Sequence, residues 1–143
     1  MNLRKVFVPA VAVAALVLGG CSQKTDYAAF HEKAVAVEAH SFKTATVKVT
    51  TKSDNGSSEA TYGLTYASGL WQADDGLISG GTVYAALVNA NTAASVGEDD
   101  SYVYYFVGNG FKVEAGSTTY TYESHGLLTS QVADGSNVSV SYK

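Results

Sequence analysis

The chain of 143 residues contains one cysteine, one proline, one methionine and one tryptophan. A single thiol cannot close a disulfide within the chain, and it cannot supply a cysteine-ligated metal site. The only proline is Pro9, so every later turn depends on Gly, Asn and Asp. The only arginine is Arg4, and beyond Lys52 just Lys112 and Lys143 carry positive charge. Nucleic acid is excluded as a partner, because neutralising a phosphate backbone takes clustered Lys and Arg. No apolar run reaches the roughly 20 residues that a membrane-spanning helix needs. Motifs of chemistry are also missing. There is no His-x-x-x-His, no Gly-x-Ser-x-Gly, and Gly108-x-Gly110 lacks the third glycine of a dinucleotide fingerprint.

What is present begins at the amino terminus. Arg4 and Lys5 precede an uncharged apolar run from Val6 to Leu18, and the polar segment Ser22-Gln23-Lys24-Thr25-Asp26 follows it. A basic start, a short apolar run and small residues before a cut constitute a secretory signal. The lone cysteine stands directly after the small pair, in Leu18-Gly19-Gly20-Cys21. This tetrapeptide resembles the lipobox of bacterial lipoproteins. The resemblance covers residues 1–21 and implies that Cys21 receives a diacylglyceryl thioether, becomes the mature amino terminus and is acylated there. The alternative, a chance cysteine in a secreted protein, leaves a free thiol in an oxidising compartment. Two or more acyl chains hold a protein firmly to a bilayer where one does not. The expected location is the cell envelope, with the domain on the extracytoplasmic side. Ser22, rather than aspartate, follows the cysteine, which points to the outer membrane in a Gram-negative host.

Charge follows the same division. Removal of residues 1–20 takes Arg4 and Lys5 away and leaves seven basic against 13 acidic residues, a net charge of −6 with His neutral. Residues 21–52 hold five lysines (24, 33, 43, 48 and 52) against Asp26, Glu32 and Glu38, whereas ten acids lie beyond. The part nearest the anchor is mildly basic, which suits lipid headgroups, and the acidic remainder favours solubility. The organisation expected is a signal peptide (1–20), a lipidated tether (21–25) and a single α+β domain (26–143).

Within the domain, Tyr27, Phe30, Ala34 and Val37 recur at steps of three and four. That spacing predicts an amphipathic helix over about 26–39, capped by Thr25 or Asp26, with His31, Glu32, Lys33 and Glu38 turned away. Residues 43–52 alternate cleanly, with Ala45, Val47 and Val49 on one side, and read as a half-buried strand. The turn 53–58 contains Asn55-Gly56, and a second strand returns over 59–66 with Ala60, Tyr62, Leu64 and Tyr66 inward. Residues 70–73 form a third, short strand. From Leu77 to Gly97 no residue is charged, and Val83, Ala86, Leu87 and Ala90 fall at helical spacing. This predicts a second helix over about 82–94, packed on the sheet or covering an opening in it. Residues 102–107 are apolar on both sides, as in a strand covered twice. Short strands over 111–115, 118–123, 127–133 and 137–142 complete a meander. The expected fold is therefore an N-terminal amphipathic helix plus a curved antiparallel sheet of about 7–8 strands, half-barrel-like, with a second helix inserted mid-chain.

No residue set singles out catalysis, and neither a cofactor nor a metal is expected. His31, His40 and His125 lie where solvent reaches them, and His40 suits a helix carboxyl end. Asp54 and Asp134 belong to turns. Glu98-Asp99-Asp100 could hold calcium but lacks spaced loop ligands, so a solvated loop is the better reading. Tyr62, Tyr66, Trp71, Tyr102, Tyr104, Phe106, Tyr120 and Tyr122 form either a core of cross-strand aromatic pairs or the lining of an apolar cavity with hydroxyl tips.

The order of elements across 25–143 resembles the LolA/LppX group of lipoprotein and lipid carriers. That resemblance implies an unclosed sheet, lined by apolar residues and partly covered by helices, and assigns no binding residue. Two functions are expected. One is a non-enzymatic, membrane-anchored envelope protein that binds or shields an apolar or lipid ligand beneath the 82–94 helix. The other is a module that presents an acidic, hydroxyl-rich sheet face to an envelope protein or cell-wall polymer. A sheet packed solid by Trp71 and the tyrosines would speak against a cavity there.

Overall fold

The computed structural model describes residues 22–75 and 80–143. The segment expected to be a signal peptide (1–20), Cys21 and residues 76–79 lie outside them. In chain order the elements are β1 (Ser22–Thr25), α1 (Tyr27–Val35), β2 (Thr44–Ser53), β3 (Gly56–Ala67), β4 (Leu70–Ala73) and α2 (Gly81–Ala90). A 3₁₀ turn (Ala93–Ser95) leads to β5 (Tyr102–Val107), β6 (Gly110–Ala115), β7 (Thr118–Tyr122), β8 (Leu128–Ala133) and β9 (Ser136–Tyr142). All nine strands make one antiparallel sheet in the order β1-β5-β6-β7-β8-β9-β2-β3-β4. The sheet does not close, and β1 and β4 are its edges. The α+β class, the meander β5 to β9 and the hairpin β2–β3 agree with the sequence pattern.

The register explains the core. On β2, Ala45, Val47 and Val49 stand opposite Leu64, Tyr62 and Ala60 of β3 on one side, and opposite Tyr142, Val140 and Val138 of β9 on the other. Period-two alternation therefore runs unbroken across three strands, and every inward residue meets another apolar one. The same face continues through Tyr120, Val113 and Tyr104 to the β1 edge. Both helices cover this face, and among the described residues no layer covers the other. Phe30 and Ala34 of α1 pack on Tyr104, Phe111, Val113 and Leu128, whereas Ala85 and Val88 of α2 pack on Val47, Leu64, Trp71 and Val140.

Several details depart from expectation. The sheet has a ninth strand because Ser22–Thr25, read as a tether, pairs with β5 from Ser22↔Val107 to Thr25↔Tyr104. Edge pairing uses backbone groups, so its polar side chains leave no hydrophobic signal. Helix α1 ends at Val35 rather than near 39; Asp26 caps it, its Oδ1 accepting the Ala29 N–H at 2.8 Å. Val37 still packs inward, from the loop that follows. In α2 the inward face holds Gly81, Ala85 and Val88, while Val83 is 65% exposed. A helix apolar all round does not specify its buried face by periodicity. Strand β5 is next to the edge and covered by helix on one face only. Its outer Tyr105 is screened by its neighbours on β6, with the Lys112 amine 4.3 Å from the ring centre and Glu114 accepting its hydroxyl at 2.8 Å.

Edge strand β4 is short, and α2 holds it by an amide clasp. Asn89 Oδ1 accepts the Trp71 N–H at 2.8 Å, and Asn89 Nδ2 donates to the Trp71 carbonyl at 2.9 Å. The side chain thus acts as one more residue of strand beside Trp71. Replacing Asn89 by Ala orphans both groups at a site where Trp71 is only 3% exposed. The expected cost is about 2 kcal/mol, read as a lower urea midpoint at unchanged slope. An unaltered midpoint would show that water replaces the clasp freely.

Candidate functional site

The aromatic residues fill the helix-covered face rather than leaving it hollow. Beneath α2, Trp71 lies tilted against Tyr66 and Tyr142, with ring centres 4.9 and 5.5 Å apart. Tyr62 stacks on Tyr84 of α2 at 5.1 Å. Beneath α1, Phe30 meets Tyr104 at 5.2 Å and Phe111 at 5.4 Å, with Phe106 beyond. The arrangement is the cross-strand aromatic core, and four tyrosine hydroxyls at it are bonded to the chain. Tyr104 donates to the Gly97 carbonyl at 2.8 Å and accepts the Asp99 N–H at 3.1 Å. Tyr27 donates to the Val96 carbonyl at 3.2 Å, Tyr122 to Asn91 Oδ1, and Tyr142 to the Leu128 carbonyl. Burial pushes the Tyr122 and Tyr142 hydroxyls well above their ordinary range, which keeps them neutral donors.

Open space lies at the margins of this packed face. One groove of about 220 Å³ opens past the end of α2, where Tyr102, Tyr120 and Tyr122 face Asn91 and Ser95. It is a small version of the aromatic lining with hydroxyl tips that the sequence suggested. A second groove, of about 520 Å³, opens at the β1 edge between α1 and the β5–β6 turn, lined by Gln23, Lys33, Val37, Phe106 and Phe111 among others. The Lys33 amine stands 5.5 Å from the centre of the Phe106 ring. That turn needs its glycines. Gly108 has φ +57°, and a Cβ on Gly110 would come within 2.5 Å of the Tyr122 carbonyl.

The chain matches no protein-family profile, no curated protein and no solved structure. Cys21 lies outside the described residues, one position before β1. Among the described residues no three His, Cys, Asp or Glu side chains converge as metal ligands. Asp99 in the acidic loop accepts both the Ser101 N–H and its hydroxyl, at 2.9 and 2.7 Å, and these bonds lower its pKa.

The histidines are less solvated than their positions in sequence implied. His31 stacks on Tyr27 at 5.3 Å. His40 is not at a helix end, since α1 stops five residues before it. It sits in an aromatic box, stacked on Trp71 at 5.6 Å and on Phe42 at 5.7 Å, with Tyr66 edge-on at 4.6 Å. Phe42 in turn meets His125 edge-on at 5.7 Å. No short-range pattern in the sequence could have gathered these residues, which come from the α1–β2 loop, β3, β4 and the β7–β8 turn.

The Phe42 N–H donates to His40 Nδ1 at 3.1 Å, which requires a lone pair there. Burial among the rings lowers the His40 pKa below 6.5; His125 and Lys43 push the same way, and Glu123 opposes them. The unfolded chain therefore binds the proton first as pH falls. Stability from this group is fully present above pH 6.5 and is lost as pH drops from there through the folded-state value. Urea unfolding at pH 7.5 and pH 5 (about the span over which histidine charges) should show a loss that is smaller in His40→Gln. Equal losses in both proteins would remove His40 as the cause.

Proposed function

We propose that this chain is a non-enzymatic lipoprotein of the bacterial envelope, anchored through Cys21, whose sheet curves half-barrel-like around its helices and holds an amphiphilic ligand at its open margin. The observation that carries the reading is the adjacency of two features. Leu18-Gly19-Gly20-Cys21 ends one residue before Ser22, where the sheet begins. Lipid on Cys21 would draw the β1 edge, with Lys24 and Lys33, toward the headgroups. Burial of Trp71 beneath α2 moves the expected ligand space away from that helix and to the grooves. The tyrosine hydroxyls that bond Gly97, Val96 and Leu128 serve packing, which supports a binding role over a catalytic one.

A second reading rests on the bare sheet face. There Lys112, Thr121, Ser130, Ser139 and Lys48 stand in one cross-strand row, each directly opposite the next. A row of hydroxyls between two lysines suits an envelope protein or a cell-wall polymer. Extraction from crosslinked envelopes separates the two readings, since a carrier releases lipid and an adaptor brings a partner.

Replacing Cys21 by Ser tests the anchor. The mature domain is expected to leave the membrane fraction for the soluble one, or to accumulate as uncut precursor. A variant processed and fractionated like the natural protein would overturn the reading. So would an intact mass of the natural product without lipid.

A further inference from the structure

The groove at the β1 edge has a composition that its surroundings do not. The chain carries a net charge of −4, yet no residue lining this groove is acidic, and its two charged residues are Lys24 and Lys33. The ion pairs among the described residues are Lys48–Glu59 and Lys112–Glu114, so neither groove lysine is paired to a carboxylate. Val37, Phe106 and Phe111 supply apolar wall beside them. Its volume, about 520 Å³, falls within the range of small-molecule sites. The carboxyl end of α1 points partial negative charge of roughly half a unit toward this region. Lys33, in the last turn of that helix, more than offsets it.

We propose that this groove seats the phosphate-bearing headgroup of an anionic membrane phospholipid. Lys33, with the Gln23 amide opposite Phe106 beside it, would face the phosphate, and Val37, Phe106 and Phe111 would receive the glycerol and the first methylenes of the chains. The occupant follows from charge complementarity and from position, because the groove begins two residues after Cys21 and lies where an anchored chain meets the bilayer. The proposal therefore rests on the anchored reading.

The test uses the full-length protein, purified from membranes and reconstituted in phosphatidylcholine vesicles doped with a phosphatidylglycerol that carries a photoreactive headgroup. Crosslinks mapped by peptide mass spectrometry are expected on residues 23–25, 33–37 and 106–111. Lys33→Gln should lower that labelling about fivefold, the contribution of one lysine near an anionic surface, and Lys33→Arg should restore it. Lys143→Gln removes the same charge from an exposed position outside the groove and should change nothing. Lys33 is exposed, so these variants should retain the native circular dichroism. Labels spread evenly over the chain, or equal losses in Lys33→Gln and Lys143→Gln, would overturn the site. Displacement by free glycerol phosphate would overturn the membrane source in favour of a soluble phosphate ligand. The intact mass of the same sample separates the two readings. A bare Cys21 removes the anchor whatever the labelling, whereas a lipidated chain without groove labels removes the groove alone.

Discussion

The pairing of β2 with β9 is the constraint on which the rest of the molecule depends. It joins the hairpin unit β2-β3-β4 to the last strand of the meander, so that two groups of strands far apart in sequence become one sheet. Seven residue pairs make the seam, from Ala45↔Tyr142 to Thr51↔Ser136. The Val47–Val140 and Val49–Val138 pairs lie on its inner face. Were β2 to slip by one residue against β9, Lys48 would stand opposite a core valine and turn inward while Val47 and Val49 turned out. Lys43 and Thr44 close the seam, since both N–H groups donate to the Lys143 carbonyl, at 2.7 and 3.1 Å. The floor beneath α2, which joins Val47 and Leu64 to Val140, exists only because of it.

The segment 91–99 shows how the two halves of the helix layer are tied to that floor. It has little regular structure of its own, and tyrosines from the sheet and from α1 meet its polar groups. Tyr104 takes the Gly97 carbonyl, Tyr27 the Val96 carbonyl and Tyr122 the Asn91 side chain. The Ala93 N–H reaches the Gly126 carbonyl at 2.9 Å, which locks the same segment to the β7–β8 turn. Buried backbone groups require partners, and here aromatic side chains supply both the apolar area and the hydrogen bonds. This double use explains why the interior is packed while its margins are open. Rings whose hydroxyls are held by main chain cannot also line a wide cavity.

How much of this could be read from the sequence varied with the kind of signal. The alternation of Ala45, Val47 and Val49, and the short strands between Gly and Asn turns, located the hairpins because a period of two is local. Phe30 and Ala34 located α1 for the same reason, and Asp26 its start. The face of α2 was illegible, because Ala85, Ala86, Leu87 and Val88 are apolar in every direction and only Trp71 and Leu64 decide which of them turn inward. Strand β1 was illegible for the opposite reason. Ser22-Gln23-Lys24-Thr25 has no apolar pattern, and its place is set by unpaired backbone groups on β5. The groove is also a product of topology, since Lys33, Phe106 and Val37 meet only after the meander has brought β5 beneath α1. His40 illustrates the same limit from within the core.

The incorporation of Ser22–Thr25 into the sheet bears directly on how an anchored protein would stand on its membrane. Four free residues give a tether of about 13 Å at an extended rise of roughly 3.3 Å each. As a strand, they give none. A lipid on the residue immediately before would then leave the domain no radius in which to turn, and the β1–β5 edge would always be the one presented to the headgroups. That edge is also where a sheet is most exposed to unwanted pairing, and polar side chains with a lysine on it are a common protection. Proximity to the bilayer would shield it further. The same four residues cover the open flank of β5, set Gln23 at the mouth of the groove and would fix the orientation of an anchored domain.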